Sequence, residues 1–517
     1  MPKDPTSELA SPAAATAVAG GPTTAEAAAD RSFFGHPRGL STLFFTEFWE
    51  RFSYYGMRAI LVLFMTAAAT QGGLGFSIER AGAIYGLYTA CVYLLALPGG
   101  WLADQLLGQR RSVFIGGIFI ALGNFLLYLA SMPTFFLGLL GIIIGTGLLK
   151  PNVSTMVGEL YPGTTPEQGA RRDAGFSIFY MGINLGAFVA PLVCGYVGER
   201  INFRLGFLVA GIGMLLGLVQ YKLGGRNLGQ AGLHPNAAGD PAARQRTVRL
   251  LLGGIVGIAL VGFLLISVFH LTVEQIAGAM GVVIVSLALL YLVMQLVSKD
   301  LDKTEKKRMG VIFVLFVFSA IFWSGFEQAG SSLTLFAEQL TRLNVFGWEM
   351  PASWLQSVNP ILIISLAPVF AWLWVALSRS RKEPSAPAKF SLGLILLGLG
   401  FGVMVWASIL TNNQQHQVSM LWLNLTYLLH TCGELCLSPV GLSTVTKLAP
   451  HRKVGQMMGI WFMSISLGNL MAGLVAGQFE KLPLPQLFGA VMATTIGAGL
   501  ILALLIRPIR RLMGGVH

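Results

Sequence analysis

The sequence predicts an all-α integral membrane protein: two six-helix bundles with a two-helix hairpin inserted between them, about 14 transmembrane helices in all. Three observations carry this. Of the 517 residues 54% are hydrophobic and only 11% charged, with mean hydropathy +0.68, a balance that belongs to a polytopic membrane chain and not to a water-soluble domain. The apolar residues are gathered into segments of roughly 20 residues or more, enough to cross a bilayer core of ~30 Å at ~1.5 Å per residue. The basic residues are asymmetric: of 35 Lys and Arg, 27 fall in alternate loops and tails, 5 in the loops between, and 3 inside the spans (Arg51, Arg58, Lys150). That is the positive-inside pattern, so the net charge of +12 and pI near 9.7 mark orientation and not a nucleic-acid partner. It places both termini in the cytoplasm, which requires an even number of spans.

Taken in order, residues 1–38 form a flexible cytoplasmic tail rich in Ala, Pro and Thr; with no apolar core behind a cationic start, it is not a signal peptide. Spans follow at about 39–68, 83–103, 112–131, 134–160, 174–198 and 203–222, giving an N-terminal bundle over 39–222. A polar break at about 223–247 leads to two apolar helices at about 248–269 and 275–298; with the basic run that ends at Arg308 they make a linker over 223–309. Six further spans, at about 310–340, 354–378, 390–410, 418–447, 454–479 and 484–508, give a C-terminal bundle over 310–509, and 510–517 is a second cytoplasmic tail.

The first span is unlike the rest. At ~100° per residue, Glu47, Glu50, Arg51, Tyr54, Tyr55 and Arg58 share one face of roughly 140°, while Leu43, Phe45, Phe48, Phe52, Leu61 and Phe64 make the other face apolar. A charge at mid-membrane costs ~2.5–3.5 kcal/mol on insertion scales, so four on one helix must face protein, water or ligand. Glu47 and Arg51, four apart, are spaced to pair within the helix. Lys150 (before Pro151) stands in the fourth span, Glu327 in the seventh of the two main sets, and Glu434 in the tenth. The membrane core thus holds four acids and three bases, an excess of one negative charge that one proton neutralises. The bases lie in the first half and two acids in the second, a separation that suits a zwitterion.

The two sets of six look like repeats. Ile178-Phe-Tyr-Met-Gly-Ile183-Asn184-Leu185-Gly186 aligns with Ile460-Trp461-Phe-Met-Ser464-Ile465-Ser466-Leu467-Gly468. Phe48-Trp49, Phe52 and Gly56 align with Phe322-Trp323, Phe326 and Gly330, and Pro151 and Pro162 with Pro439 and Pro450. Parallel six-helix repeats around a midplane site are the major facilitator architecture. Gly100-Trp-Leu-Ala-Asp104-Gln-Leu-Leu-Gly108-Gln-Arg110-Arg111 resembles that superfamily's loop signature and reads as a structural and gating element.

These residues carry a further resemblance. Glu47-x-x-Glu50-Arg51-Phe-x-Tyr54-Tyr55-Gly56, Phe176-x-x-Phe179-Tyr180-x-Gly-x-Asn184-x-Gly186 and Gly433-Glu434-x-x-x-Ser438-Pro439-x-Gly441 are similar to the three signatures of the proton-coupled oligopeptide transporters. The resemblance extends over about 30–510. It implies a symporter that imports di- and tripeptides with protons, by alternating access, across the inner (cell) membrane. Glu47, Glu50, Arg51 and Glu327 would couple protons; Arg51 and Lys150 would hold the peptide carboxylate, with Glu327 pairing with Lys150 in the empty site. Asn184, Asn359 and Glu434 would hold the amino end, and Tyr54, Tyr55, Tyr93, Trp323, Trp461 and Ser464 would form side-chain pockets. The extra helix pair is a feature of bacterial members.

No cofactor or metal is implied beyond the proton. Cys91, Cys194, Cys432 and Cys436 read as small apolar-span residues without metal or disulfide spacing, and His270 and His430 as packing residues. The partners expected are peptides, protons and the bilayer, with the monomer as the working unit. An enzyme is disfavoured, since no His-Glu-x-x-His or Gly-x-Ser-x-Gly occurs. An exporter of drugs or other amphiphilic solutes is the alternative; it would not need acids and bases divided between halves. A non-transporting receptor would have no use for the acid–acid–base triad.

Overall fold

The structure, a computed structural model, describes residues 30–161, 165–233, 235, 241–298, 300–450 and 453–514. The tail expected over 1–38 falls mostly outside these residues, as do Pro162 and residues 515–517. The described residues contain fourteen long helices. They are α1 (Arg38–Thr66), α2 (Ile78–Leu102), α3 (Gln109–Leu129), α4 (Met132–Glu159), α5 (Pro166–Ala190, continued through Pro191–Gly195 into Tyr196–Arg200), α6 (Phe203–Gly224) and α7 (Pro241–Phe263). There follow α8 (Val273–Val297), α9 (Lys303–Phe326, continued through the turn Glu327–Gly330 into Ser332–Leu340), α10 (Val358–Arg379, after the tight turn Ala352–Ser357), α11 (Ala386–Leu410), α12 (Leu421–Leu448), α13 (Val454–Ala476) and α14 (Leu484–Leu512).

Twelve of these are long and apolar enough to cross a membrane by length and composition. The two that are not, α1 and α12, are as long, at 29 and 28 residues, and are the helices that carry Glu47, Glu50, Arg51, Arg58 and Glu434. A helix is the form a spanning segment takes because lipid offers its backbone no partners. Capping boxes at Ser131/Thr134, Thr165/Gln168, Thr272/Gln275 and Asp302/Glu305 satisfy the first turns of α4, α5, α8 and α9.

The internal repeat appears as matched packing. Gly145 and Gly433 each stand six residues before the aligned prolines, Pro151 and Pro439. A carbon added at Gly145 would lie 2.5 Å from the Gly116 carbonyl oxygen of α3; one at Gly433 would lie 2.8 Å from the Gly393 carbonyl oxygen of α11. Likewise Gly186 of α5 faces the Phe48 carbonyl of α1, and its counterpart Gly468 of α13 faces the Ala320 carbonyl of α9, at 2.5 and 2.8 Å by the same measure. Small residues let backbones approach where packing, and not water, drives association.

α1 starts at what we term the terminal face, where Arg308 of α9 donates to the Met513 and Gly514 carbonyls beyond α14. The opposite, distal face is closed between the two sets of six helices. Glu199 at the end of α5 accepts from the Ala352 and Ser353 backbone N–H groups at 2.8 and 3.0 Å. Trp354 Nε1 donates to the Leu192 carbonyl, Ser357 Oγ to that of Phe188, and Arg200 pairs with Glu349 at 3.4 Å.

The hairpin sits at the junction. α8 packs on both α2 and α13, and its Tyr291 and Gln295 meet Gln456 and Lys453 at the start of α13. On the α2–α3 loop, Asp104 accepts from Gln109 at 3.0 Å, and Arg110 donates to the Ala231 and Gly229 carbonyls at 2.7 and 2.6 Å. The signature loop therefore fastens the chain that leaves α6.

Candidate transport site

α1 is buried on both faces: Leu43, Leu61 and Phe64 are as enclosed as Glu47, Glu50 and Arg51, while Phe45 is 43% exposed. The pairing expected from the i, i+4 spacing is made, with Arg51 Nε 2.9 Å from Glu47 Oε1, and the same nitrogen also contacts Glu50 Oε2. Glu50 is fully buried. Two carboxylates thus share one guanidinium, and Glu47 Oε2, Glu50 Oε1 and Arg51 Nη2 have no hydrogen-bond partner. With both acids ionised the three groups carry one negative charge in excess, and an uncompensated buried charge is costly. The Arg51 guanidinium lies 5.6 Å from the Tyr54 ring centroid, and Tyr54 meets Tyr55 edge-on at 5.2 Å.

One turn further along, Arg58 Nη2 pairs with Glu327 Oε2 at 2.5 Å and Arg58 Nε donates to Tyr85 Oη at 2.5 Å. This corrects the expected pairing of Glu327 with Lys150. The distal closure packs α1 against the turn Glu327–Gly330, where only Gly330 leaves room: a carbon there would lie 2.9 Å from Arg58 Nε and collide with Tyr85. Arg58 therefore takes the carboxylate. Lys150 stands instead with its ammonium 4.1 Å from the Tyr93 ring centroid, within the electrostatic field of Glu50, Glu47 and Glu327.

On the other half, Asn359 of α10 donates to Glu434 Oε2 at 3.1 Å and to Thr431 Oγ1 at 3.0 Å. Asn184 does not join them; its amide donates to the Tyr180 carbonyl of its own helix at 3.0 Å. Lys150, Glu434, Asn359, Tyr55 and Tyr93 are half-buried, whereas the α1 triad is enclosed. Trp323 is packed edge-on to Phe322 and Phe326 with its indole N–H unpartnered, and Trp461 is buried against Phe390. Ser464 is fully buried and bonds Ser319 at 2.8 Å across the α9–α13 contact, a packing position. His430 likewise packs on Phe401, with ring centroids 4.9 Å apart. Cys194 and Cys436 are buried, and Cys91 and Cys432 partly so, all with free thiols.

Three members of this constellation had no role assigned from sequence. Arg58 was visible on the polar face of α1, but its partner was not. Thr431 lies three residues before Glu434, on the same helix face. Tyr85 is one tyrosine in an apolar span and gives no signal.

The chain is 43% identical over 503 residues to the "Peptide transporter YePEPT" of Yersinia enterocolitica subsp. palearctica, covering 94% of this chain and 97% of that one. It is 38% identical over 498 residues to a "Di-/tripeptide transporter" of Lactococcus lactis subsp. cremoris, covering 94% and 99%. A crystal structure of the peptide transporter POT in complex with sulfate superposes with TM-score 0.88 at 42% identity, covering 96% of this chain and all (100%) of that one. These relatives are transporters and not enzymes. The POT family model matches residues 110–491, and the chain belongs to that family.

Proposed function

We propose that this chain is a proton-coupled symporter that imports di- and tripeptides by alternating access across the inner membrane. In this reading the terminal face and both termini are cytoplasmic, the distal face is external, and the monomer is the working unit. Residues 39–222 and 310–509 act as the two moving bundles and 223–309 as the inserted linker, with 1–38 and 510–517 as tails. The observation that carries the reading is the division of charge. Arg51 and Lys150 lie on α1 and α4, and the Asn359–Glu434 pair on α10 and α12.

A peptide zwitterion placed between them directs its carboxylate to Lys150 and Arg51 and its ammonium to Glu434 and Asn359. The half-buried Tyr55 and Tyr93 flank its side chains, with Tyr54, Trp323 and Trp461 behind them; Ser464 supports the α9–α13 contact, and Asn184 reaches the ligand only by leaving the Tyr180 carbonyl. A carboxylate arriving at Arg51 competes with Glu47 and Glu50 for one guanidinium, which favours a proton on one of them. That competition links peptide to proton. With the distal face closed by Arg58–Glu327 and by the Glu199 contacts, the site is in the state that opens to the cytoplasm.

The test is uptake of labelled dialanine into proteoliposomes with and without an inward proton gradient. Gradient-driven accumulation abolished by a protonophore is the expected result. Peptide exchange without accumulation overturns the coupling, and no peptide flux from folded protein overturns the substrate and leaves an exporter of other amphiphiles.

A further inference from the structure

Arg58 makes a contact that its pairing with Glu327 does not require. Nη2 meets Glu327 Oε2 of α9 at 2.5 Å, while Nε donates to Tyr85 Oη of α2, also at 2.5 Å. An arginine that meets a carboxylate freely tends to give it two donors at once. Here a neutral hydroxyl from the same half of the molecule holds Nε, and Nη2 alone is printed against the carboxylate of the other half. Tyr85 is fully buried, and its ring centroid and that of Tyr55 each lie 5.8 Å from the guanidinium carbon. The hydroxyl is also fixed from behind. Gly86, the next residue, seats α2 on α13, where an added carbon would lie 2.9 Å from the Leu470 carbonyl oxygen. The turn Glu327–Gly330 closes directly over the Arg58–Tyr85 contact, since a carbon added at Gly330 would lie 2.9 Å from Arg58 Nε and collide with Tyr85 Oη.

We propose that Tyr85 is a positioning residue for the distal closure: it holds the Arg58 guanidinium so that Nη2 faces Glu327. Arginine has a long stem with much rotamer freedom, and a bond at Nε removes part of it before the carboxylate arrives. Tyr85 and Arg58 lie on α2 and α1 of one bundle, so their contact persists when the distal face parts and the pair with Glu327 breaks. Each return to the closed state then starts from an aligned guanidinium. The inference rests on the alternating-access reading above and is independent of what is carried.

The test is the distribution of spin-label distances between α5 and α10 at the distal face, in lipid and without peptide. Tyr85→Phe, which removes one oxygen and no charge, is expected to raise the distally open share about fivefold. Tyr88→Phe is the control, because Tyr88 is as deeply buried on the same helix and its Oη has no partner; it should leave the distribution unchanged. In an Arg58→Gln/Glu327→Gln background, Tyr85→Phe should add nothing further. Arg58→Lys keeps the charge for Glu327 but lacks the fork that serves two partners, so it should open the face as Tyr85→Phe does and decides the matter if that variant fails to fold. An equal shift in Tyr88→Phe, or the same shift in the double background, would overturn the proposal, since Tyr85 would then act through α2 packing. A more closed distribution in Tyr85→Phe would also overturn it, with the hydroxyl competing against Glu327 for Nε. If peptide uptake fails while these distances shift as expected, the substrate reading falls and this inference stands; if the distal face stays shut in every variant, both the closure and this inference fall.

Discussion

At the scale of single residues, the arrangement around Arg51 makes the sharpest demand. One guanidinium faces two carboxylates in an enclosed place, so removing either acid balances the triad without a proton. Glu50→Gln is therefore expected to abolish gradient-driven accumulation at least tenfold while leaving peptide counterflow, and measuring both in the same proteoliposomes separates coupling from binding. On the opposite half, Asn359→Ala removes the amide that donates to Glu434 Oε2. Losing a hydrogen bond to a charged group costs ~1.5–3 kcal/mol, so peptide affinity should fall about tenfold or more, read by binding of unlabelled dialanine. The residues of this constellation were legible because charge in lipid is expensive and therefore conspicuous. Their partners were not: that Arg58 would reach Glu327 depends on how closely α1 and α9 approach, a tertiary fact set by Gly330 and Tyr85.

At the scale of elements, the α5 end shows a device made from a helix terminus. Glu199 satisfies the first two N–H groups of the tight turn Ala352–Ser357, which belongs to the other half of the molecule. Opening the distal face must break this cap. Loss of a capping side chain costs ~1 kcal/mol, so Glu199→Ala should shift the equilibrium toward distal opening about fivefold, seen as broader spin-label distances between α5 and α10. The segment before α1 makes a second junction, where His36 Nδ1 lies 2.9 Å from Tyr161 Oη. Burial, and then Arg171 and Arg31, hold the His36 pKa below the usual 6.5. A histidine so depressed binds fewer protons when docked than when released, so docking is intact above pH ~6.5 and weakens as pH falls through the depressed value. Hydrogen exchange over residues 33–40 is expected to quicken between pH 7 and 5 beyond its intrinsic change, and His36→Gln should remove that extra dependence. Twelve of the fourteen long helices were readable from apolar length, while α1 and α12 carry charge within the span; the continuation of α9 through Glu327–Gly330 was not readable, since nothing in an apolar run marks a tight turn made for close approach.

At the scale of the whole molecule, the repeat legible in the glycine and proline spacing becomes two sets of six helices with equivalent close contacts. The hairpin, which breaks the repeat in sequence, lies across both sets through α8. Near mid-membrane the Arg58–Glu327 pair, with both side chains under 10% exposed, at 9% and 5%, joins the sets beside the α2–α13 packing, where Ser466 Oγ donates to the Ala90 carbonyl. Taking such a pair from water costs several kcal/mol per ion, which mutual attraction only partly offsets, whereas removing one partner strands the other. The pair is therefore expected to act as a specificity device for the closed distal face more than as a source of stability. Arg58→Gln and Glu327→Gln should each lower thermal stability markedly, by ~3–5 kcal/mol if the stranded charge stays ionised, while Arg58→Gln/Glu327→Gln should recover most of the loss. The same double variant should keep its fold and yet open distally more often than the wild type, read by spin-label distances across that face. Additive losses in the two single variants would mean that the groups act separately, and would remove this contact from the closure.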